Sequence, residues 1–284
     1  GDAQGSTIDA LAELSTVGID ATQFLTQFSR AAGVLGVNQI AKMSREFDTI
    51  NQSGIKLGMS LEESAERYGE ELDQRARLGI VNGVQAMQIA KETKQTMETQ
   101  QKYAQALGIS TGELRTFTDG LITGTNILSG SLLRFNASTQ SAMYAGVKEF
   151  GTIMAGMGGE GGKDIATAMT EAAAGGALGF SSSLVAMTAV LPRLQKTTVE
   201  LSTAMQNGTL TQEQSQKMAT EFAQELGNLS QGEKERIFAM ERAGVEGATE
   251  MANAVRNFTA SAARMEDLDI NPSAVQTGTN ALSN

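Results

Sequence analysis

The chain has 284 residues with 22 basic and 32 acidic side chains, and its formal net charge of −10 argues against a protein that grips duplex nucleic acid through a basic surface. Cysteine and histidine are both absent, which excludes disulfides, zinc fingers, thiol nucleophiles and a Ser–His–Asp catalytic arrangement. Aromatic residues make up only 5% and tryptophan is absent, so we expect a thin, methionine- and alanine-filled core rather than a rigid enzyme core.

Helical periodicity runs through the whole chain. Proline occurs only at Pro192 and Pro272, and alternating strand-type patterns are nearly absent, so the sequence predicts an all-α fold without significant sheet. We expect helical hairpins or a bundle joined at glycine hinges, either elongated or dependent on an oligomer. The apolar stripes with helical spacing lie at Phe24–Leu35, Val37–Ile50, Leu61–Ala76, Met143–Met157 and Ala248–Phe258.

Three junctions share a glycine, a following serine, and a glutamate three residues after the serine. Glycine can adopt the left-handed conformation that ends a helix, serine can cap the next helix, and the glutamate can close a capping box. The junction residues are Gly58, Ser60 and Glu63; Gly108, Ser110 and Glu113; and Gly227, Ser230 and Glu233. Thr211–Gln214 is a fourth predicted box, without the glycine. The unequal intervals between these caps argue against a solenoid.

Residues 91–102 (KETKQTMETQQK) are polar on almost every face of the predicted helix. A helix of this kind gains little support from the core of its own chain. Lys94 and Glu98, and Glu98 and Lys102, are spaced for weak i,i+4 ion pairs. The pattern predicts a helix that protrudes or faces an oligomer partner.

A methionine-rich stripe has the spacing of a coiled-coil seam. Met143, Val147, Phe150, Met154 and Met157 follow each other by four and three residues in alternation. We expect this predicted seam either to pack in an ordinary helical core or to pair between chains. The second alternative implies a homo-oligomer, a trimer or a hexamer.

The glycine run at 156–163 (GMGGEGGK) predicts a flexible hinge between two regions. We expect an N-terminal helical region over 1–155 and a C-terminal helical region over 164–265. Residues 266–284 are rich in Asn, Thr and Ser and predict an extended tail. Because the chain begins with Gly1 and no leader follows, we expect it to be processed or to be a piece of a longer chain.

The stretch 172–191 (AAAGGALGFSSSLVAMTAVL) carries no charge over 20 residues. Its Gly175 and Gly179 form a G-xxx-G pattern, which favours close packing of two helix backbones. A conditional membrane contact through Leu184, Val185 and Leu191 is the second interpretation. Its hydrophobicity is weaker than that of most membrane spans.

Three patterns imitate known sites and fail their requirements. Gly156, Gly158 and Gly161 form a lone GxGxxG, but the preceding pattern is helical and a dinucleotide site needs a strand there. The series Asp267, Asp269 and Asn271 resembles the start of an EF-hand loop, yet proline and glycine occupy its sixth and twelfth positions. The pairs Glu62/Glu63 and Glu70/Glu71 lie on the polar side of an amphipathic helix, where we expect solvated carboxylates. We therefore predict no catalytic residue, no metal and no cofactor.

The chain resembles tail tape-measure proteins of long-tailed bacteriophages. The resemblance is carried by the junctions LGISTGELRTF (107–117) and LGNLSQGEKERIF (226–238), and by the apolar stretch MTEAAAGGALGFSSSLVAMTAVL (169–191). It implies a helical structural protein of the virion, present in several copies in the tail lumen or tail tip. The implied partners are tail-tube and baseplate-hub proteins, with a role in tail length and genome delivery and with transient host-membrane contact.

A secreted α-helical translocator or pore-forming protein that inserts 172–191 into a membrane is the alternative function. A helical enzyme domain such as a lytic muramidase is a third, which the carboxylate settings do not favour.

Overall fold

A computed structural model of the chain describes residue 50 and residues 52–80, 84–124, 132–174, 192–245 and 247–267. Regular secondary structure in these ranges is helical throughout, which confirms the predicted all-α class. The helices are α1 (Leu61–Arg77), α2 (Ala86–Leu107), α3 (Thr111–Gly124), α4 (Ala137–Ala174), α5 (Pro192–Asn207), α6 (Gln212–Gly227), α7 (Gln231–Arg242) and α8 (Ala248–Asp267). Residues 52–56 are also helical.

One backbone motif ends five of these helical segments. A glycine with φ between 66° and 78° terminates each segment, and the next residue donates its N–H to the carbonyl five residues earlier, as in the Schellman motif. Examples are Met59 N to Gly54 O at 2.8 Å and Ile80 N to Arg75 O at 2.9 Å. The five glycines are Gly58, Gly79, Gly108, Gly208 and Gly244.

The described residues group into two compact units. The first contains the described residues up to Glu98 together with Phe135–Ala145, and the second contains Thr99–Arg134 and the residues from Gly146 onward. The glycine run at 156–163, predicted as the boundary between two regions, therefore lies inside the second unit.

The apolar stripe of α1 forms part of the core of the first unit. Tyr68 and Leu72 are fully buried and Ala76 is nearly so, because residues three and four positions apart share one face of a helix. Ile50, the one described residue of the Val37–Ile50 stripe, is also buried. The stripe Phe24–Leu35 lies outside the described residues.

The apolar stripe of α8 forms part of the core of the second unit. Ala248, Met251, Val255 and Phe258 are all buried. The Phe258 ring meets the Phe222 ring of α6 edge to face, with 6.4 Å between centroids, a favoured aromatic geometry.

Helix α4 bends at one residue. Gly159 has φ 56° and ψ −142°, while the residues on either side of it are helical. The structure thus confines the interruption in the predicted 156–163 hinge to Gly159. The surrounding glycines lie in helix, and most of them contact other helices closely, as described below.

The polar stretch 91–102 is not a protruding helix, contrary to the expectation from its composition. It lies within α2, where Glu92, Thr93, Thr96, Thr99 and Gln100 are all buried. Glu92 binds Arg75 of α1 and Thr99 binds Glu149 of α4, while Thr96 donates to the Glu92 carbonyl of its own helix. Helix α8 continues to Asp267, and the remainder of the predicted tail lies outside the described residues.

Candidate functional site

A fully buried arginine is the centre of a polar cluster in the first unit. Arg75 has no solvent exposure. Its Nε donates to Glu71 Oε1 at 3.0 Å, and its Nη1 donates to Glu92 Oε2 at 2.7 Å and to the hydroxyl of Ser141. Three helices therefore converge on one guanidinium, and we call Arg75, Glu71, Glu92, Ser141 and Tyr144 the Arg75 cluster.

The cluster members from α2 and α4 also bind one another. Ser141 Oγ donates to Glu92 Oε2 at 2.6 Å, and Gln88 donates to the other Glu92 oxygen at 2.8 Å. The Arg75 guanidinium lies over the Tyr144 ring, 4.6 Å from its centroid, a cation–π distance. The Tyr144 hydroxyl in turn contacts Gln74 Oε1.

Burial alone would lower the pKa of Arg75, but the adjacent Glu71 and Glu92 carboxylates outweigh it, and its pKa lies above the ordinary value. The arginine is therefore a permanent cation inside the unit. Two carboxylates and one aromatic face occupy its surroundings, so it is not presented to an external phosphate or carboxylate. The arrangement suits helix registration.

Glu149 is a second buried ionisable side chain, located on α4 in the second unit. It has no solvent exposure and accepts a hydrogen bond from Thr99 Oγ1 of α2 at 2.7 Å. Burial and then the Glu149 charge raise the pKa of Tyr103, while a hydrogen bond with Thr220 opposes them. Burial lowers the pKa of Lys102, against the attraction of Glu149.

Two lysines of α4 pair with acids of α3. Lys148, whose side chain is 2% exposed, lies 2.8 Å from Asp119 Oδ1. Lys163 Nζ lies 3.0 Å from Glu113 Oε1 and 2.6 Å from Glu160 Oε1. The buried polar groups of this unit thus connect its helices to one another.

The glycines of the predicted GxGxxG pattern lie at helix contacts. A Cβ added at Gly156 would lie 3.0 Å from Tyr103 Cβ, and one at Gly158 would lie 2.6 Å from the Phe258 ring. At Gly161 it would lie 2.4 Å from the backbone nitrogen of Ala254. The pattern therefore serves close helix approach, and no strand precedes it among the described residues.

The first junction forms both bonds of a capping box. Gly58 has φ 78°, the Ser60 N–H donates to Glu63 Oε2 at 2.9 Å, and the Glu63 N–H donates to Ser60 Oγ at 3.1 Å. The Ser230 and Glu233 pair forms the same two bonds at 2.9 and 3.3 Å. Thr211 caps α6 by accepting from the Gln214 N–H at 3.3 Å.

Two junctions depart from the prediction. Gly227 lies in the last turn of α6 rather than in a left-handed turn, and Asn228 is the cap residue; an added Cβ at Gly227 would lie 3.1 Å from Ala262 Cβ, so this glycine serves a helix contact. At the middle junction Gly108 has φ 69°, and the Ser110 carbonyl accepts from the Leu114 N–H. Glu113, predicted to close a box with Ser110, binds Lys163.

The junction before α6 has a left-handed glycine that sequence reasoning missed. Gly208 has φ 66°, and the Thr209 N–H donates to Ala204 O at 2.9 Å. Leu210, between this glycine and the Thr211 cap, is fully buried. Sequence reasoning identified the Thr211 cap but did not connect it with Gly208, three residues earlier.

The predicted seam is buried inside the chain. Met143, Val147, Phe150, Met154 and Met157 are each at most 3% exposed. These side chains already pack against their own chain, so they do not present a surface for a second copy. A homo-oligomer requires a different surface.

Glu71, a member of the two glutamate pairs for which we predicted solvated carboxylates, is buried. Glu71 is 7% exposed because Arg75 binds it, whereas Glu63 and Glu70 are exposed. A burial signal for Glu71 was absent from the local pattern, since Glu92 and Ser141, which also bind its partner Arg75, lie on other helices.

The charge-free stretch falls almost entirely outside the described residues, and with it Gly175, Gly179, Leu184, Val185 and Leu191. Residues 172–174 end α4. Across the described ranges, a helix with the length and apolar character of a membrane span is not found.

Among the residues with described structure, groups of three or more acidic side chains arranged to hold a metal ion are not found. Of the EF-hand-like series, only Asp267 is described, at the end of α8. Comparison with protein-family models, curated proteins and solved structures yields no match.

Proposed function

We propose that this chain is a non-enzymatic structural segment of a tail tape-measure protein, located in the tail lumen or tail tip of a long-tailed bacteriophage. In this proposal several copies form a homo-oligomer against tail-tube and baseplate-hub proteins. They contribute to tail length, assist genome delivery and make transient contact with the host membrane.

The observation that supports the proposal best is the structure of the segments that carry the resemblance. Residues 107–117 form a glycine turn followed by the start of α3, and residues 226–238 run from the end of α6 into a capped α7. Helical segments joined by such short turns are suited to a structural protein that fills a confined space. The many turns favour a folded piece at the tail tip over a continuous rod acting as the ruler.

The buried charges are consistent with a structural role. Arg75 and Lys148 each pair with acids of other helices, so neither of these two cations is presented to an external anion. These buried ion pairs determine which helices contact each other and in which register.

The test is to locate the segment in a particle. Helix α7 offers an epitope because Ile237 is its only buried residue. Antibody raised against α7 should label the tail tip of intact phage particles in electron micrographs, and the parent chain should sediment with the particles at a mass well above 29.9 kDa. A free protein of 284 residues, with particles unlabelled, would overturn the proposal.

The alternative, a translocator or pore-forming protein, rests on the 20 uncharged residues of 172–191. A liposome-leakage assay with the full chain from pH 4 to pH 8 tests it. Leakage that a Leu184→Asp, Val185→Asp double variant abolishes would support the translocator. Intact liposomes at every pH would leave the structural proposal as the better one.

A further inference from the structure

We propose that α8 is a strap that holds α4 bent at Gly159, and that withdrawal of α8 lets residues 146–174 become one continuous helix. The proposal concerns the fold of the second unit and stands whichever function is correct. Four observations on the contacts of α4 support it.

The bend is confined to a conformation that only glycine adopts easily. Gly159 has φ 56° and ψ −142°, which an L side chain reaches only with strain. The two halves also approach closely: a Cβ added at Gly162 would lie 2.1 Å from Met154 O. The helical backbone on both sides means that a change at one residue converts the bent form into a continuous helix.

Helix α8 supplies hydrogen bonds at the interruption. A break in a helix leaves nearby carbonyls without their usual N–H partners. Asn257 Nδ2 donates to Gly158 O at 2.9 Å, and Ser261 Oγ donates to Met157 O at 2.8 Å. These donors are four residues apart, so they lie on one face of α8.

The same face of α8 packs where glycines have removed the side chains. Positions 158 and 161 face Phe258 and the backbone of Ala254 so closely that an added Cβ would lie 2.6 Å and 2.4 Å away. The docked position of α8 and the bend therefore depend on each other. In the continuous form the carbonyls of Met157 and Gly158 accept hydrogen bonds from N–H groups of α4 itself. These bonds compensate for the hydrogen bonds from Ser261 and Asn257 that are lost when α8 withdraws.

An ion pair beyond the bend is a weaker contact. Lys163, beyond the bend, pairs with Glu113 of α3 at 3.0 Å, but Glu113 is 54% exposed. Exposed ion pairs contribute little to stability. We therefore assign the bend to α8 rather than to this pair.

The absence of cysteine allows a direct distance measurement in the full chain. Spin labels on T116C, on α3, and E171C, near the end of α4, are attached at exposed positions. Because Gly151 before the bend packs on α3, the label pair reports across the bend. The arm from Gly159 to Glu171 is about 18 Å long, so straightening should displace residue 171 and shift the distance between the labels.

One variant alters the backbone at the bend, and a second removes the hydrogen bonds from α8. Gly159→Ala disfavours the bent backbone, and Asn257→Ala with Ser261→Ala removes both hydrogen bonds, which should raise the continuous population roughly 30-fold. Gly120→Ala is the matched control, since Gly120 lies in α3 with open space around its Cα. We expect a second distance population in both test variants and an unchanged distribution in the control.

A single wild-type distance in both folded test variants would overturn the proposal. If Gly159→Ala loses its helical circular dichroism, the double variant alone decides: a second distance population supports the strap and an unchanged distribution overturns it.

Discussion

Arg75 Nη1 and Glu92 Oε2 lie 2.7 Å apart, and the two residues are 0% and 7% exposed. They come from different helices, so their pairing fixes how α1 and α2 meet. Because both charges have left water, the value of the contact depends on whether both partners remain. Replacing both partners of a buried ion pair is often neutral for stability, whereas removing only one partner leaves an unpaired charge in the interior and is strongly destabilising.

Glu92→Gln should destabilise the chain strongly. The amide keeps the shape of the side chain but removes the charge facing Arg75, whose guanidinium stays protonated in the interior. Breaking a buried pair in this way costs about 3–5 kcal/mol, measurable by urea denaturation.

The control is Lys94→Gln on the same helix. Lys94 and Glu98 are 3.9 Å apart and both are exposed, so this change should cost about 0.5 kcal/mol or less. Equal effects of the two substitutions would show that the Arg75 cluster does not stabilise the first unit.

Replacing glycine by alanine should change the free energy of unfolding in opposite directions at two helical positions. Gly161→Ala places a Cβ 2.4 Å from the Ala254 backbone, and such overpacking costs about 1–3 kcal/mol. Gly120→Ala meets open space in α3 and should stabilise by about 1 kcal/mol, since alanine is the better helix former. Thermal unfolding of both variants measures the difference. A stabilising Gly161→Ala would contradict the close contact of α4 and α8.

The sequence predicted the elements whose signals are local. A stripe such as Tyr68 and Leu72 shows its spacing within two turns, and a box such as Ser60 and Glu63 spans four residues. Both follow from backbone geometry alone, and the structure contains both. The same holds for the all-α class.

The features that sequence reasoning missed depend on distant partners. Glu71 reads as a solvated residue until α2 and α4 bring Glu92 and Ser141, 17 and 66 positions from Arg75, to the same guanidinium. The glycine run reads as flexible because the partners of Gly158 and Met157 lie 99 and 104 positions away. A single sequence carries no spacing rule for such contacts.

The buried position of the predicted seam leads to a test of its role. Phe150 is 1% exposed, so Phe150→Ala should cost about 3–5 kcal/mol. Met87→Ala, at a 66% exposed position, is the control and should change stability by less than about 0.5 kcal/mol.

Protein concentration separates an intrachain core from a seam between chains. A contact within one chain gives a melting temperature that Phe150→Ala lowers equally at all concentrations. A contact between chains links stability to concentration by mass action. If the wild-type melting temperature rose with concentration and Phe150→Ala removed that rise, the core assignment would be wrong.

The environment of Tyr103 predicts a loss of stability in alkali. Burial and Glu149 raise its pKa above the ordinary value near 10, although its hydrogen bond with Thr220 opposes them. The folded chain therefore holds the phenol proton at a pH where the unfolded chain has released it. The stabilisation is complete below about pH 10 and declines above it, with a slope of about 1.4 kcal/mol per pH unit from this one group.

Tyr103→Phe should remove that slope, because phenylalanine has no proton to release. Urea denaturation of both chains between pH 9 and pH 12 measures it: the greater stability of the wild-type chain should shrink as the pH rises above 10 and reverse before pH 12. The variant also loses the Thr220 hydrogen bond, which costs about 1 kcal/mol below pH 10. Parallel stability curves across the whole range would show that Tyr103 ionises equally easily in the folded and unfolded chains, in conflict with its burial beside Glu149.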